Sequence, residues 1–173
     1  TVTKLPRLFG GHVGQDDPIG QAAEIGADCI QFFLGDPQGW KGPEFPHPDG
    51  AEGLKAAAEA ANVRIYIHAP YVINVATSNN RIRIPSRKIL QQQVSAAASI
   101  GAAGVIVHGG HVTKDDDPQI GFENWRKTFE RMDLECPVFI ENTAGGNNSM
   151  ARRLGSIARL WEAPDGCGAG FCL

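Results

Sequence analysis

Three residues of metal-ligand type each stand at the end of a short apolar run. His68 ends RIYIH, His108 ends GVIVH and Glu141 ends VFIE. Two imidazoles and a carboxylate suit zinc with one coordination position left open, which is typical of a catalytic site. A single histidine at a strand end is more often a hydrogen-bonded core residue, and a buried glutamate needs a partner or a metal. The joint pattern therefore favours one metal ion shared by all three residues.

The remaining histidines give weaker signals, and each has a structural alternative. His12 ends the first apolar run and is interpreted as a support for the metal ligands, a phosphate contact or a structural residue. His111 follows His108 in a glycine-flanked turn, where it could equally reach the same pocket or point to solvent. His47 lies among prolines and is predicted at the surface.

The elements that must position these residues alternate regularly along the chain. Short runs rich in Val, Ile and Phe predict buried parallel strands, and strong helix formers lie between them. This order predicts an α/β fold, a (β/α)8 TIM-type barrel, in which functional groups gather where the strands end. Adjacent strands lie about 4.8 Å apart, so donors at the same height on three consecutive strands would converge on one ion. The predicted strands are Leu8–Val13, Cys29–Leu34, Val63–His68, Gly104–His108, Val138–Glu141 and Gly170–Leu173. The predicted helices are Pro18–Ala27, Ala51–Ala61, Ser86–Ile100, Gly121–Met132 and Ser149–Ala163.

The last predicted strand has no helix after it to cover it. A complete barrel of this type has about 250 residues. We therefore expect residues 1–173 to be a single, incomplete domain, truncated after about six of eight strands.

Composition narrows the class of protein. The chain is 42% hydrophobic and 20% charged, as expected of a globular domain, and its net charge of −3 excludes a uniformly basic nucleic-acid-binding module. No apolar run approaches the roughly 20 residues of a membrane span, and the first residues have no signal-peptide pattern. Four scattered cysteines without a C-x-x-C pair predict a reduced, intracellular protein; they are Cys29, Cys136, Cys167 and Cys172.

A basic stretch follows the third predicted strand. Side chains of its types can clamp phosphates or stack on bases, whereas a solvated helix start is the alternative that the charge run alone favours. Glycine pairs at 109–110 and 145–146 could let the backbone approach a phosphate, or could be plain barrel turns. The residues concerned are Tyr71, Asn74, Asn79, Asn80, Arg81, Arg83, Arg87 and Lys88.

Several of these segments together resemble the endonuclease IV family. Residues 68–74 (HAPYVIN), 107–111 (VHGGH) and 140–146 (IENTAGG) are similar to three successive signatures of that family. Residues 11–13 (GHV) and 33–40 (FLGDPQGW) resemble its first two loops. Residues 170–173 (GFCL) resemble the strand that begins its Asp-Thr-Cys-His signature, cut just before the Asp. The resemblance covers essentially the whole chain, with five motifs and the start of a sixth in family order.

The resemblance implies a (β/α)8 barrel that holds three zinc ions. It implies hydrolysis of the phosphodiester 5′ to abasic sites in double-stranded DNA, and removal of 3′ blocking groups. His68 and His108 would be ligands of the first zinc, and Glu141 would be a catalytic ligand that bridges the first and second zincs. The full-length protein would be a cytoplasmic monomer of base excision repair. The remaining ligands would lie beyond Leu173, so the chain would hold one complete zinc site and would be impaired alone.

Matching positions also imply a DNA contact surface. Tyr71 and Val72 match residues that enter the minor groove and wedge the duplex at the lesion. Gln38 stands where many relatives carry an arginine in that wedge, which weakens the expectation of insertion there but not of the chemistry.

Two other classes of function remain open. One is a sugar isomerase or epimerase of the xylose isomerase-like barrel superfamily, whose metal sites rely more on carboxylates. The two histidines, and Tyr71 beside the first, favour the nuclease. The other is a folded scaffold without enzymatic activity.

Overall fold

A computed structural model describes residues 7–163 and 169–173 and shows a six-stranded, wholly parallel sheet in the order β1-β2-β3-β4-β5-β6. Each strand pairs with its sequence neighbours, and a helix joins each strand to the next, as in a (β/α)8 barrel. The predicted fold class is therefore confirmed. The strands are β1 Gly10–His12, β2 Cys29–Phe33, β3 Arg64–His68, β4 Gly104–His108, β5 Val138–Glu141 and β6 Gly170–Cys172. The helices are α1 Pro18–Ile25, α2 Gly50–Ala61, α3 Asn80–Ser99, α4 Gln119–Phe129 and α5 Leu154–Glu162.

The two faces of the sheet have different surroundings. Alternate residues on one face, such as Ile67 and Ile140, are completely buried in the hydrophobic core under the helices. The opposite face carries Tyr66 and Phe139, whose ring centroids lie 6.3 Å apart, and both are only half-buried. This second face ends at His68, His108 and Glu141, because side chains alternate along each strand.

Helix α3 begins earlier than the sequence predicted. The predicted start at Ser86 took Pro85 as a boundary, but α3 runs from Asn80 and contains Pro85. The Asn79 side chain caps the helix by accepting a 3.0 Å hydrogen bond from the Arg81 amide. Pro85 removes only one backbone hydrogen bond, and tertiary packing of the buried helix face offsets that loss.

Two further helix starts differ from prediction by two residues or more. Helix α5 begins at Leu154 rather than Ser149, because Ser149 forms a bridge with His111 and donates its amide to the Gly146 carbonyl. The chain between β5 and α5 is consequently a long loop. Helix α4 begins two residues before Gly121, where the Asp117 carboxylate accepts the Gln119 amide at 2.9 Å.

The cysteines that the structure describes are free thiols at Cys29, Cys136 and Cys172, while Cys167 lies outside the described residues. Burial raises the pKa of the Cys136 thiol to about 11, so this side chain acts as a small core residue. Over the described part of the chain, no helix has the length and apolar character needed to cross a membrane.

Candidate metal centre

The side chains of His68, His108 and Glu141 converge at the carboxyl end of the sheet. Their donor atoms all lie within 4.8 Å of one another. Glu141 Oε2 is 3.3 Å from His68 Nε2 and 3.0 Å from His108 Nε2. His68 is buried, whereas His108 and Glu141 are half-buried, so the cluster is reachable from one side.

The register that brings the three residues together differs from the one we expected. His108 pairs with Glu141 across β4 and β5, at the same height. His68 instead pairs with Ile106, two residues below His108. The expectation of equal height on all three strands was therefore wrong, because barrel strands are staggered relative to their neighbours. A stagger of two residues preserves the face, so His68 and His108 still point to the same side.

The hydrogen bond of His68 fixes which ring nitrogen is free. Its Nδ1 lies 2.7 Å from the Ala69 carbonyl, which can only accept, so Nδ1 carries the proton. Burial is the main cause that lowers the pKa of His68, and the nearby His108 lowers it further, although the Ala69 and Glu141 contacts act in the opposite direction. A neutral His68 thus turns an unprotonated Nε2 towards the Glu141 carboxylate.

This arrangement of donors fits a zinc ion. Two lone-pair-bearing groups face each other at 3.3 Å, which is unfavourable unless a proton or a cation lies between them. Ligand atoms about 2.1 Å from a tetrahedral zinc ion are themselves roughly 3.4 Å apart, close to the observed spacings. A backbone carbonyl that holds the distal ring nitrogen is also the usual support of a metal-bound histidine. His68, His108 and Glu141 could therefore hold a metal through Nε2, Nε2 and a carboxylate oxygen.

An aromatic wall surrounds the cluster. The ring centroid of Phe33, at the end of β2, lies 5.1 Å from that of His68. Tyr71 lies 5.3 Å from His68 and 5.4 Å from His108 and is 52% exposed, as expected for a residue at the same mouth. His12 is largely exposed, and its ring centroid lies 6.4 Å from that of His68. Partial burial is the main cause that lowers the pKa of His12, and repulsion by a protonated His68 lowers it further.

Phe33 was missed by the sequence reasoning. Its position gave a signal that could have been used, because β2 ends at the edge of the sheet where β3 ends, and Phe33 pairs with His68. Phe33 was predicted in a strand and in the family-like segment 33–40, but no role at the site was predicted for this side chain.

Asn74 has a structural role rather than the phosphate contact that its residue type allowed. It is buried, its Oδ1 accepts the His111 amide at 3.1 Å, and its Nδ2 donates to the His111 carbonyl at 3.0 Å. Its own amide donates to the Ser86 hydroxyl of α3 at 2.9 Å. The amide side chain is therefore occupied within the protein, and the interpretation of Asn74 as a phosphate clamp was wrong. His111 is exposed beside the mouth and outside the metal-ligand cluster.

A cavity of about 440 Å³ adjoins the cluster. Its wall includes Trp40, Tyr71, Val72 and His108, so both residues of the expected wedge border the mouth. Gln38 is exposed in the loop after β2, where its backbone amide donates to the Asp36 carboxylate at 2.9 Å. His47, expected at the surface, is half-buried, and its Nδ1 accepts the Asp49 backbone amide at 3.1 Å before α2.

The basic stretch lies in the first half of α3 and is divided between two surroundings. Arg83 donates to the Asn124 side chain at 2.7 Å and also to Asn80, so it ties α3 to α4. Arg81 and Lys88 are exposed and line a separate cavity with Trp40. Asn79 is occupied as the helix cap.

The order of strands and the position of the cluster define a class of protein. Residues 19–173 match the xylose isomerase-like TIM barrel family, and the chain belongs to it. Within the class, the chain is 55% identical over 166 residues to proteins named probable endonuclease 4 from Mycobacterium bovis and Mycobacterium tuberculosis. That alignment covers 96% of this chain and 64% of each relative, so the chain spans less than two thirds of their length.

The chain resembles solved structures of an endonuclease and of an epimerase-like protein. Endonuclease IV from Thermus thermophilus superimposes with a TM-score of 0.77 at 25% identity, over 94% of this chain and 61% of that protein. A D-tagatose 3-epimerase-like protein superimposes with a TM-score of 0.67 at 17% identity, over 88% of this chain and 60% of that one. The second similarity shows the barrel fold alone.

Proposed function

We propose that the chain is part of a zinc-dependent endonuclease that hydrolyses the phosphodiester 5′ to abasic sites in double-stranded DNA and removes 3′ blocking groups. The observation that carries the proposal is the convergence of His68, His108 and Glu141 beneath an exposed aromatic mouth. The 55% identity to proteins named probable endonuclease 4 supports the choice of reaction within the class. All described strands belong to one sheet, which supports residues 1–173 as one domain. The proposed whole enzyme is a cytoplasmic, monomeric DNA-repair protein.

The proposed reaction adds water across one phosphodiester. The oxygen of water bonds to phosphorus, the bond from phosphorus to the 3′ oxygen breaks, and that oxygen gains a proton to become a 3′ hydroxyl. A zinc ion held by His68, His108 and Glu141 would supply Lewis-acid polarisation of a phosphoryl oxygen and a nucleophile that is active at neutral pH. We assign Glu141 as the catalytic ligand that would also face a second of three zinc ions in the full enzyme.

The residues around the cluster would perform three tasks. Phe33 and Tyr71 cover His68 and exclude water from its side of the site. The Ala69 carbonyl holds the His68 tautomer that presents Nε2. Tyr71 and Val72 would fill the gap in a duplex left by a missing base, with Gln38 contributing from the neighbouring loop.

The test uses the whole endonuclease of which this chain is proposed to be part. It compares the Glu141→Gln variant with the wild-type protein on a duplex that contains one tetrahydrofuran abasic analogue. The substitution keeps the shape of the side chain but removes the charge that balances the cation. We expect zinc per chain to fall and the single-turnover incision rate to drop by at least about a hundredfold. Glu24→Gln, which neutralises an exposed carboxylate of α1, is the matched control and should leave both quantities unchanged.

Substrate choice separates this proposal from the sugar isomerase alternative. The wild-type protein should incise the abasic duplex, leave an intact duplex uncut and leave a ketose unchanged. Conversion of a ketose that depends on Glu141, without incision, would contradict the proposal and favour the alternative. A protein that binds zinc fully but catalyses neither reaction would favour the scaffold alternative.

A further inference from the structure

Helix α3 concentrates positive charge in a chain that is negative overall. It carries Arg81, Arg83, Arg87 and Lys88 and contains no acidic residue across Asn80–Ser99, whereas the whole chain has a net charge of −3. All four cations lie in its first half, next to the mouth of the sheet. A local excess of this kind indicates an anionic partner more strongly than the composition of the whole chain does.

Within the part of the chain that the structure describes, these cations lack acidic partners. No ion pair among residues 7–163 and 169–173 includes a side chain of α3. On one side of the helix, burial is the main cause that lowers the pKa of Arg87, and the like charges of Arg131 and Arg83 lower it further. Arg83 is occupied by neutral amides, so its charge also remains uncompensated.

On the other side of the helix, the cations line an open groove. Its volume is about 690 Å³, and its walls include Arg81, Ile84 and Lys88 of α3 together with Trp40 and Gly42 of the loop after β2. Arg81 and Lys88 are exposed, while Ile84 is 58% exposed and Trp40 is 46% exposed. We call this feature the α3 groove.

The α3 groove adjoins the candidate metal centre. Trp40 lines both the α3 groove and the cavity of about 440 Å³ that contains Tyr71, Val72 and His108. Residues 81 and 82 are consecutive in α3, and Arg81 borders the groove while Ile82 borders the cavity. A ligand that is longer than the cavity can therefore continue over Trp40 into the groove.

We propose that the α3 groove binds the phosphate backbone of the same DNA duplex that the mouth receives, through Arg81 and Lys88. This inference rests on the proposed function, since it extends the footprint of that substrate. Two exposed cations match the phosphates of a nucleic-acid backbone, and the exposed ring of Trp40 can stack on an unpaired base. An acidic protein segment would share the charge but would not explain the continuity with the metal centre.

The experiment measures binding of the protein to a duplex of about 20 base pairs with one tetrahydrofuran site, over a series of salt concentrations. Arg81→Gln with Lys88→Gln should weaken binding about tenfold at low salt and reduce the slope of log K against log salt by roughly two. The matched control is Lys55→Gln with Arg64→Gln. It removes the same two residue types from exposed positions that border the cavity at the opposite end of β3.

Each outcome decides between the two claims. The inference is supported if the α3 variant shows reduced affinity and a reduced slope while the control variant shows neither change. Equal behaviour of the two variants, or weaker binding with an unchanged slope, overturns it while the wild-type protein still incises abasic DNA. The inference is also overturned if the α3 variant loses affinity for an acidic peptide but keeps its affinity for DNA. No abasic-site binding or incision by the wild-type protein would instead be a failure of the proposed function.

Discussion

At the scale of single residues, the buried His68 makes the stability of the metal-free protein depend on pH. Burial lowers its pKa below 6.5, so between the folded pKa and 6.5 the unfolded chain binds more protons than the folded one. The contribution of His68 is therefore fully present above 6.5 and is lost as the pH falls through that window. We expect chelator-treated protein to unfold at lower urea concentration at about pH 5.5 than at about pH 7.5.

A comparison of variants isolates this effect. His68→Gln should shrink the difference between the two pH values, although not abolish it, because the lowered pKa of His12 acts in the same direction. An unchanged difference in His68→Gln would show that His68 is not the source.

Tyr71 provides a second test at this scale. Its ring is 52% exposed and lies beside both histidines, so removal of the ring should affect a damaged duplex most. We expect Tyr71→Ala to weaken binding to abasic DNA by about tenfold, the value of one stacking contact, and to weaken binding to intact duplex much less. Tyr71→Phe keeps the ring and serves as the control. Equal loss on both duplexes would indicate a scaffolding role.

At the scale of elements, the turn after β4 depends on a glycine and on Asn74. Gly110 has φ of 69°, and a Cβ at this position would meet Asn74 Oδ1, the acceptor of the His111 amide. Gly110→Ala should therefore lower the free energy of unfolding by about 1–3 kcal/mol, as measured by urea denaturation. Gly146 has open space around its Cβ position, so Gly146→Ala is the control and should cost less than half as much. Similar losses would show that the turn tolerates a side chain.

Sequence patterns predicted the elements well where burial controls them, and poorly where local hydrogen bonds do. The strand ends at His68, His108 and Glu141 followed from apolar runs and agree with the structure. The start of α3 was misplaced, since the capping contact of Asn79 outweighed the stop signal of Pro85. The two-residue stagger between His68 and His108 depends on strand tilt in three dimensions, which no single strand encodes.

The contacts of Asn74 were beyond prediction for the same reason. Asn74 and His111 are 37 positions apart, and only the folded barrel brings them together. The residue type suggested a polar contact, but it could not indicate whether the partner was a ligand or the protein itself.

At the scale of the whole molecule, the described sheet is open rather than closed. β1 and β6 each pair with one neighbour, and the inner face between them lines a cavity of about 490 Å³ whose walls include Tyr66, Ile106 and Phe139. A closed barrel would cover both the edges and this face, whereas unpaired strand edges beside apolar surface favour association between chains.

The same geometry limits the metal content of the 173-residue polypeptide when it is expressed alone. Its described residues bring together one group of three metal-ligand side chains, whereas the proposed enzyme uses three zinc ions. We therefore expect this polypeptide to self-associate in light scattering, to bind at most one zinc per chain tightly, and to incise abasic DNA far more slowly than a protein with a closed barrel. A single zinc ion can polarise one phosphoryl oxygen, but it cannot clamp both the attacking and the leaving oxygens. A monodisperse monomer with rapid incision and one zinc would show that His68, His108 and Glu141 suffice for the chemistry.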